Sequence, residues 1–203
     1  EVEQLQVSRK GPADFVSTAD LGAERKLVEE LGHARPDYGF LLEEGKPVES
    51  KDPKGRRWVI DPLDGTTNFL HGIPHWAISL GLEEDGEIVA GMIYDPTKDE
   101  LFWAEKGIGA FLNDRRIRSS ERRNLSDCVI GTGTPFFGQG DHDRFTDQLR
   151  AVMAATAGVR RQGAASLDLA YVAAGRYDGF WENGLKPWDI AAGIILIKEA
   201  GGY

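Results

Sequence analysis

Residues 58–69 read WVIDPLDGTTNF. Trp58, Val59 and Ile60 form a short apolar run of strand-forming residues, and it leads directly into Asp61, with a second aspartate at Asp64. A strand is expected to end at Ile60. Pro62 blocks helix continuation and Gly65 permits an unusual φ, so both aspartates are expected in a tight turn, their carboxylates aimed at one small volume. Thr66, Thr67 and Asn68 then begin a helical turn whose unpaired N–H groups and dipole suit a phosphate. Taken singly, each acid also has a plain structural use: Asp64 as the N-cap of that turn, Asp61 as an exposed strand end. Capping needs one aspartate, however, and leaves unexplained a second one immediately after a buried β-branched run.

Other acids share this strand-end pattern. Glu43 and Glu44 follow the apolar segment GFLL at 39–42, and Asp189 stands between Trp188 and the helical segment IAAGIILI. Each has an ordinary alternative, the glutamates as solvated surface groups and Asp189 as a helix cap. If all four carboxylates meet at one rim they repel strongly at low dielectric, which hard divalent cations would relieve, and oxygen ligands favour Mg2+.

The flanking segments indicate a layered fold. Asp20 is expected to cap a helix through about Ala34, with Leu21, Leu27, Val28 and Leu31 roughly on one face, ended by Arg35-Pro36. YGFLLEE reads as a strand, and 45–57 as an exposed loop. From Ala77 to Ile117 apolar runs alternate with turns at Asp85-Gly86, DPTKD and Asn113-Asp114, an antiparallel meander. CVIGTGT and YDGFWE are further strands. Helices are expected over about His142–Ala157 and Ala164–Ala174, and over WDIAAGIILIKEAGG with Asp189 at its start. Strand meanders interspersed with helices give an α+β (mixed α/β) layered sandwich rather than a strictly alternating parallel sheet. The division expected is an N-terminal α+β part, 1–120, carrying the strand-turn motif, and a C-terminal α/β part, 121–203, completing the site within one compact unit.

The bulk properties exclude several classes. A chain of 203 residues can bury a sizeable core without staples, and 41% hydrophobic with 28% charged residues is ordinary for a globular protein. No apolar run is long enough to span a bilayer and no signal peptide is evident, so no membrane role is expected. Cys128 is the single cysteine, which rules out an internal disulfide and leaves the cytoplasm as the expected compartment. A formal net charge of −9 argues against direct nucleic-acid binding.

Competing motifs fail on their chemistry. His71 and His75 are separated by Gly72 and Pro74, which break the helix that a paired-histidine zinc site needs. GTGTPF at 131–136 lacks the third glycine of a dinucleotide fingerprint, and no Gly-Lys-Ser/Thr closes a P-loop. Ser166 has no evident base partner in the sequence. LDGTT superficially looks like the motif of phosphatases with an aspartate nucleophile, but Leu63 fills the nucleophile's place.

Three separated motifs together resemble the inositol monophosphatase family of Mg2+-dependent, lithium-sensitive phosphatases, bacterial members above all. They are WVIDPLDGTTNF, LKPWDIAAGIILIKEAGG at 185–202 and LLEEG at 41–45, supported by DFVSTAD at 14–20 and GAASLDLAYVAAGRYDGFWE at 163–182. The likeness covers nearly the whole chain. Leu42 replaces the family's usual glycine before the paired glutamates, and Ser17 a usual threonine.

The resemblance implies an α-β-α-β-α sandwich of the sugar phosphatase type and hydrolysis of a phosphate monoester by metal-activated water, most directly myo-inositol 1-phosphate to inositol and phosphate. Glu43, Asp61, Asp64, Asp189 and the Leu63 carbonyl would bind two or three Mg2+ ions. Glu43 and Thr66 would orient the attacking water; Gly65, Thr66 and Thr67 would hold phosphate; Ala165, Glu182 and Asp189 would contact the substrate. The partners implied are a small-molecule phosphate monoester and a second subunit in a homodimer. Other family substrates stay open: 3′-phosphoadenosine phosphates, fructose bisphosphate, histidinol phosphate and NADP. So does a regulatory binding role with residual phosphatase activity.

Overall fold

The computed structural model describes residues 7–11, 14–138 and 140–203. The hairpin of β1 (Val7–Gly11) and β2 (Asp14–Ser17) leads into helix α1 (Thr18–Ala34). A seven-stranded sheet follows. It comprises β3 (Gly39–Leu42), β4 (Arg57–Asp64), β5 (Ala77–Glu84), β6 (Glu87–Asp95), β7 (Glu100–Glu105), β8 (Gly109–Leu112) and β9 (Arg115–Arg116), side by side in that order. All neighbours are antiparallel except β3 and β4, which run parallel. The Asp85-Gly86 turn has φ of 52° and 81°, both left-handed, as a tight hairpin with the sheet's twist requires.

Side-chain alternation gives the sheet two faces with different tasks. Ile60, Leu80 and Met92 point to one face and pack with Phe40 and Leu42 against Leu27, Val28 and Leu31 of α1. On the opposite face Ile93 and Phe102 pack with Ala192, Ile195 and Leu196 of helix α5 (Pro187–Glu199). Helix and sheet approach so closely there that a Cβ on Gly81 would lie 2.8 Å from Ala191 Cβ, and one on Gly91 2.8 Å from Ala192 Cα.

A second, three-stranded parallel sheet orders β11 (Gly158–Arg160), β10 (Val129–Thr132) and β12 (Gly179–Trp181). Helix α4 (Ala165–Ala173) lies beside α5 between the two sheets, and helix α3 (His142–Ala155) flanks the second, with Phe145 stacked on Trp181. The layers therefore run helix, sheet, helix pair, sheet, helix, the mixed α/β sandwich expected.

Three local expectations are corrected. α1 is capped by Ser17 rather than Asp20; Asp20 occupies the third helical position of a capping box and accepts the Ser17 N–H at 2.8 Å. Asp189 likewise sits at the third position of α5, after Lys186 and Pro187. β4 does not stop at Ile60: it continues through Pro62 to Asp64, with a register shift against β5 between Asp61 and Asp64. That bulge, rather than a free turn, separates the two aspartates.

Candidate active site

Because β3 and β4 are parallel, their C-terminal ends open on the same edge of the sheet. Leu42 pairs with Ile60, and the Glu43 N–H donates to the Ile60 carbonyl at 3.3 Å, which brings Glu43 beside Asp61. Asp61 is 2% exposed, so the exposed strand-end alternative fails. Burial raises its pKa well above the usual carboxylate range, and Asp64, Glu43 and Asp189 each raise it further, Glu43 also through a direct side-chain hydrogen bond. Four acids distant in sequence thus share one electrostatic neighbourhood.

Gly65 turns the chain at the end of β4 with φ of 89° and starts the short helix α2 (Thr66–Leu70). It is the helix's N-cap and gives no side-chain cap, so Asp64 does not cap α2. Asp64 instead accepts the N–H of Ser166 at 2.8 Å, the Ser166 hydroxyl and the Ala165 N–H, all at the start of α4. Burial holds its pKa at about 6 against those donors, with Asp189 pushing in the same direction as burial. Asp189 accepts the Lys186 N–H at 2.6 Å, and burial raises its pKa as well.

Thr66 is fixed between two oxygens, its hydroxyl 3.1 Å from Asp20 Oδ1 and 3.0 Å from the Leu63 carbonyl. The Leu63 N–H donates to Asp61 Oδ1 at 3.0 Å. Asn68 closes the turn from behind by donating to the His75 carbonyl at 2.7 Å and the Gln162 carbonyl at 2.8 Å. Those bonds press the 162–164 segment onto Gly65, where a Cβ would meet Ala164 Cβ and the Gly163 carbonyl at 3.3 Å. Thr67 is exposed on the first turn of α2, whose leading N–H groups have no acceptor within the helix.

Glu182, just after β12, is half-buried, with its carboxylate directly over Gly133, where a Cβ would fall 1.9 Å from Glu182 Cδ. Burial, then Asp64 and Asp189, push its pKa to about 7, and Arg161 opposes them. It therefore faces the acid cluster rather than open water.

Among the described residues no three acidic, histidine or cysteine side chains already surround one point as a finished metal shell. Their oxygens are engaged with Ser166, Lys186, Leu63 and one another. The donor chemistry still fits a hard divalent cation: carboxylates and a carbonyl, no thiol or imidazole, and mutual repulsion that a cation relieves.

The inositol monophosphatase family model matches residues 1–203. The chain belongs to the inositol monophosphatase family. It is 62% identical to the inositol-1-monophosphatase of Rhizobium meliloti, over 100% of this chain and 76% of that protein. It is 47% identical to the Nus factor SuhB of Pseudomonas aeruginosa, over 99% of this chain and 75% of the other. The crystal structure of the extragenic suppressor protein suhB from Bartonella henselae superposes with a TM-score of 0.96 at 58% identity, covering 99% of this chain and 77% of that one.

As an inositol monophosphatase family member the chain is a phosphoric monoester hydrolase, and no described helix is long and apolar enough to cross a membrane. Three residues at the site escaped sequence reasoning. Asp20 holds Thr66, although its place in a helix start suggested only a cap. Ser166, without an apparent base partner in sequence, has a carboxylate partner in Asp64, yet it is 0% exposed and so is no nucleophile. Asp168 is 1% exposed with no hydrogen-bond partner for Oδ1, and burial, Asp64 and Glu182 raise its pKa to about 8. Only its place three residues after Ala165 on the same helix could have pointed to it.

Proposed function

We propose that this protein hydrolyses myo-inositol 1-phosphate to inositol and phosphate with Mg2+ as cofactor. The observation that carries the reading is the convergence of Glu43, Asp64 and Asp189 on buried Asp61. Those four carboxylates and the Leu63 carbonyl would hold the cation. Bound Mg2+ supplies positive charge against the charge that develops on phosphate and leaving oxygen.

The chain's own groups do the rest. Thr66, fixed by Asp20 and the Leu63 carbonyl, and Glu43 give the attacking water a defined direction. The N–H groups of Gly65, Thr66 and Thr67 receive the phosphate oxygens, and the Gly65 turn brings the backbone close to them. Glu182 and Ala165 meet the hydroxyls of the alcohol part. Water is the nucleophile in this scheme: the Ser166 hydroxyl is buried and donated to Asp64, and the Thr66 hydroxyl is engaged between Asp20 and the Leu63 carbonyl.

The test is phosphate release, with and without Mg2+, across myo-inositol 1-phosphate, 3′-phosphoadenosine phosphate, fructose bisphosphate, histidinol phosphate and NADP. Highest kcat/KM on inositol 1-phosphate supports the substrate; preference for another member of the panel transfers the same chemistry to that substrate. The relative named as a Nus factor favours a second reading, a regulatory protein partner at the same chain. A stable complex recovered from lysate without any phosphate release would select it. A cytoplasmic homodimer is the assembly expected for either role.

A further inference from the structure

Glu43 is held from both sides. Its own N–H donates to the Ile60 carbonyl at 3.3 Å, and the next N–H, that of Glu44, donates to Glu24 Oε2 at 2.9 Å. Glu24 lies 20 residues away in sequence, on α1, and is 6% exposed. It stands one turn beyond Asp20, so one face of α1 carries both acids: Asp20 reaches Thr66, and Glu24 reaches the turn after β3. The fit around Glu24 is close. A Cβ on Gly45 would lie 2.8 Å from Glu24 Oε1 and 2.9 Å from Leu42 Cδ1, so any larger residue there must shift the carboxylate.

With the peptide planes before and after Glu43 both held, its Cα–Cβ bond has a set direction, and the side chain it carries hydrogen-bonds Asp61. Packing alone does not explain an acid here, because an apolar side chain would fill the same space without desolvating a charge. What the carboxylate supplies and an apolar chain cannot is an acceptor for the N–H of Glu44. We propose that Glu24 is a positioning residue that aims Glu43 at the Mg2+ site. The proposal rests on the metal-dependent reading above. It also assigns α1 the task of fixing the distance between the Glu43 turn and the Thr66 turn, through two acids on successive helical turns.

The experiment is Mg2+ binding by titration calorimetry on the wild-type protein, Glu24→Ala, Glu24→Gln and Gly45→Ala, with melting curves and the Mg2+ dependence of phosphate release alongside. Glu24→Ala should weaken Mg2+ binding by about tenfold or more, raising the Mg2+ concentration for half-maximal rate more than it lowers kcat at saturation. Glu24→Gln, whose amide oxygen accepts the same N–H, should recover to within about threefold of wild type. Gly45→Ala keeps the charge of Glu24 but displaces it, and should weaken binding in the same direction as Glu24→Ala.

Wild-type affinity in folded Glu24→Ala or Gly45→Ala overturns the proposal, and so does a glutamine variant as weak as the alanine one, which would make charge rather than aim the cause. If Glu24→Ala does not fold, the other two variants decide. Absence of Mg2+ binding by the wild-type protein would instead overturn the proposed function itself.

Discussion

Asp64 at the end of β4 accepts the N–H of Ser166 at 2.8 Å and also its hydroxyl, across 102 residues of chain. This joint ties the seven-stranded sheet to the first turn of α4. It also sets the charge of the site, because both donors favour the ionised carboxylate while burial holds its pKa up at about 6. Ser166→Ala removes the hydroxyl and keeps the N–H. The pKa of Asp64 should then rise, and since the proposed reaction needs Asp64 ionised, the acid limb of the kcat/KM profile should move to higher pH by roughly half a unit to one unit. A pH–rate series on both proteins checks it; an unmoved limb separates Asp64 from the chemistry.

Thr66→Val removes a hydroxyl held by Asp20 and the Leu63 carbonyl but keeps the side chain's shape. The expected loss in kcat is about 100-fold or more, with a stability change of only about 1 kcal/mol. Steady-state kinetics set beside urea unfolding separate the two effects. Parallel falls in stability and activity would reduce Thr66 to a structural role.

Gly65→Ala is strained in two ways. Its φ of 89° is unfavourable for an L side chain, and the new Cβ would lie 3.1 Å from the His75 carbonyl. A loss of about 1–2 kcal/mol in unfolding free energy is expected, with reduced activity from the displaced turn. Denaturant midpoints at a constant m-value measure it.

Asp168 gives the protein a pH-dependent weakness. In the folded chain its carboxyl is held at about 8, chiefly by burial, against an ordinary value of 3.8. A raised folded value means that its favourable contribution is complete below about pH 4 and is lost as pH climbs through about 8. Asp168→Asn has no proton to lose, so relative to wild type it should gain stability on going from pH 5 to pH 8.5, by about 1–3 kcal/mol. Urea unfolding at the two pH values reads the difference; an equal difference at both would mean that Asp168 does not titrate in this window.

The candidate site was legible in the sequence where it was local. Asp61, Leu63, Asp64, Gly65 and Thr66 lie within six residues, and strand-end acids in other segments announced Glu43 and Asp189 as companions. The meander was legible because Asp85-Gly86 and Asn113-Asp114 carry turn chemistry that strands do not tolerate. Helix starts were less so. An acid at the third helical position that accepts the N-cap N–H looks like a cap from sequence alone, and this displaced both the Asp20 and the Asp189 assignments.

The bulge in β4 was hidden by Pro62, which signals a break although a bulged strand can accommodate it. β11, with Gly158, Val159 and Arg160, is too short for its alternation to register, and only pairing with β10 defines it. Glu24, Ser166 and Asp168 belong to a last class. Their partners come from elements far away in the chain, and nothing in local spacing distinguishes them from a helix-surface acid or an ordinary helical serine.

The central claim is that the acids around Asp61 perform Mg2+-dependent phosphate ester hydrolysis. Its most direct test is phosphate release from myo-inositol 1-phosphate, titrated with Mg2+, in the wild-type protein and in Asp64→Asn. Wild type should show no release without Mg2+ and a saturable rise with it, while Asp64→Asn, folded by circular dichroism, should lose about 100-fold or more of that rate. Full Mg2+-dependent activity in folded Asp64→Asn would contradict the account.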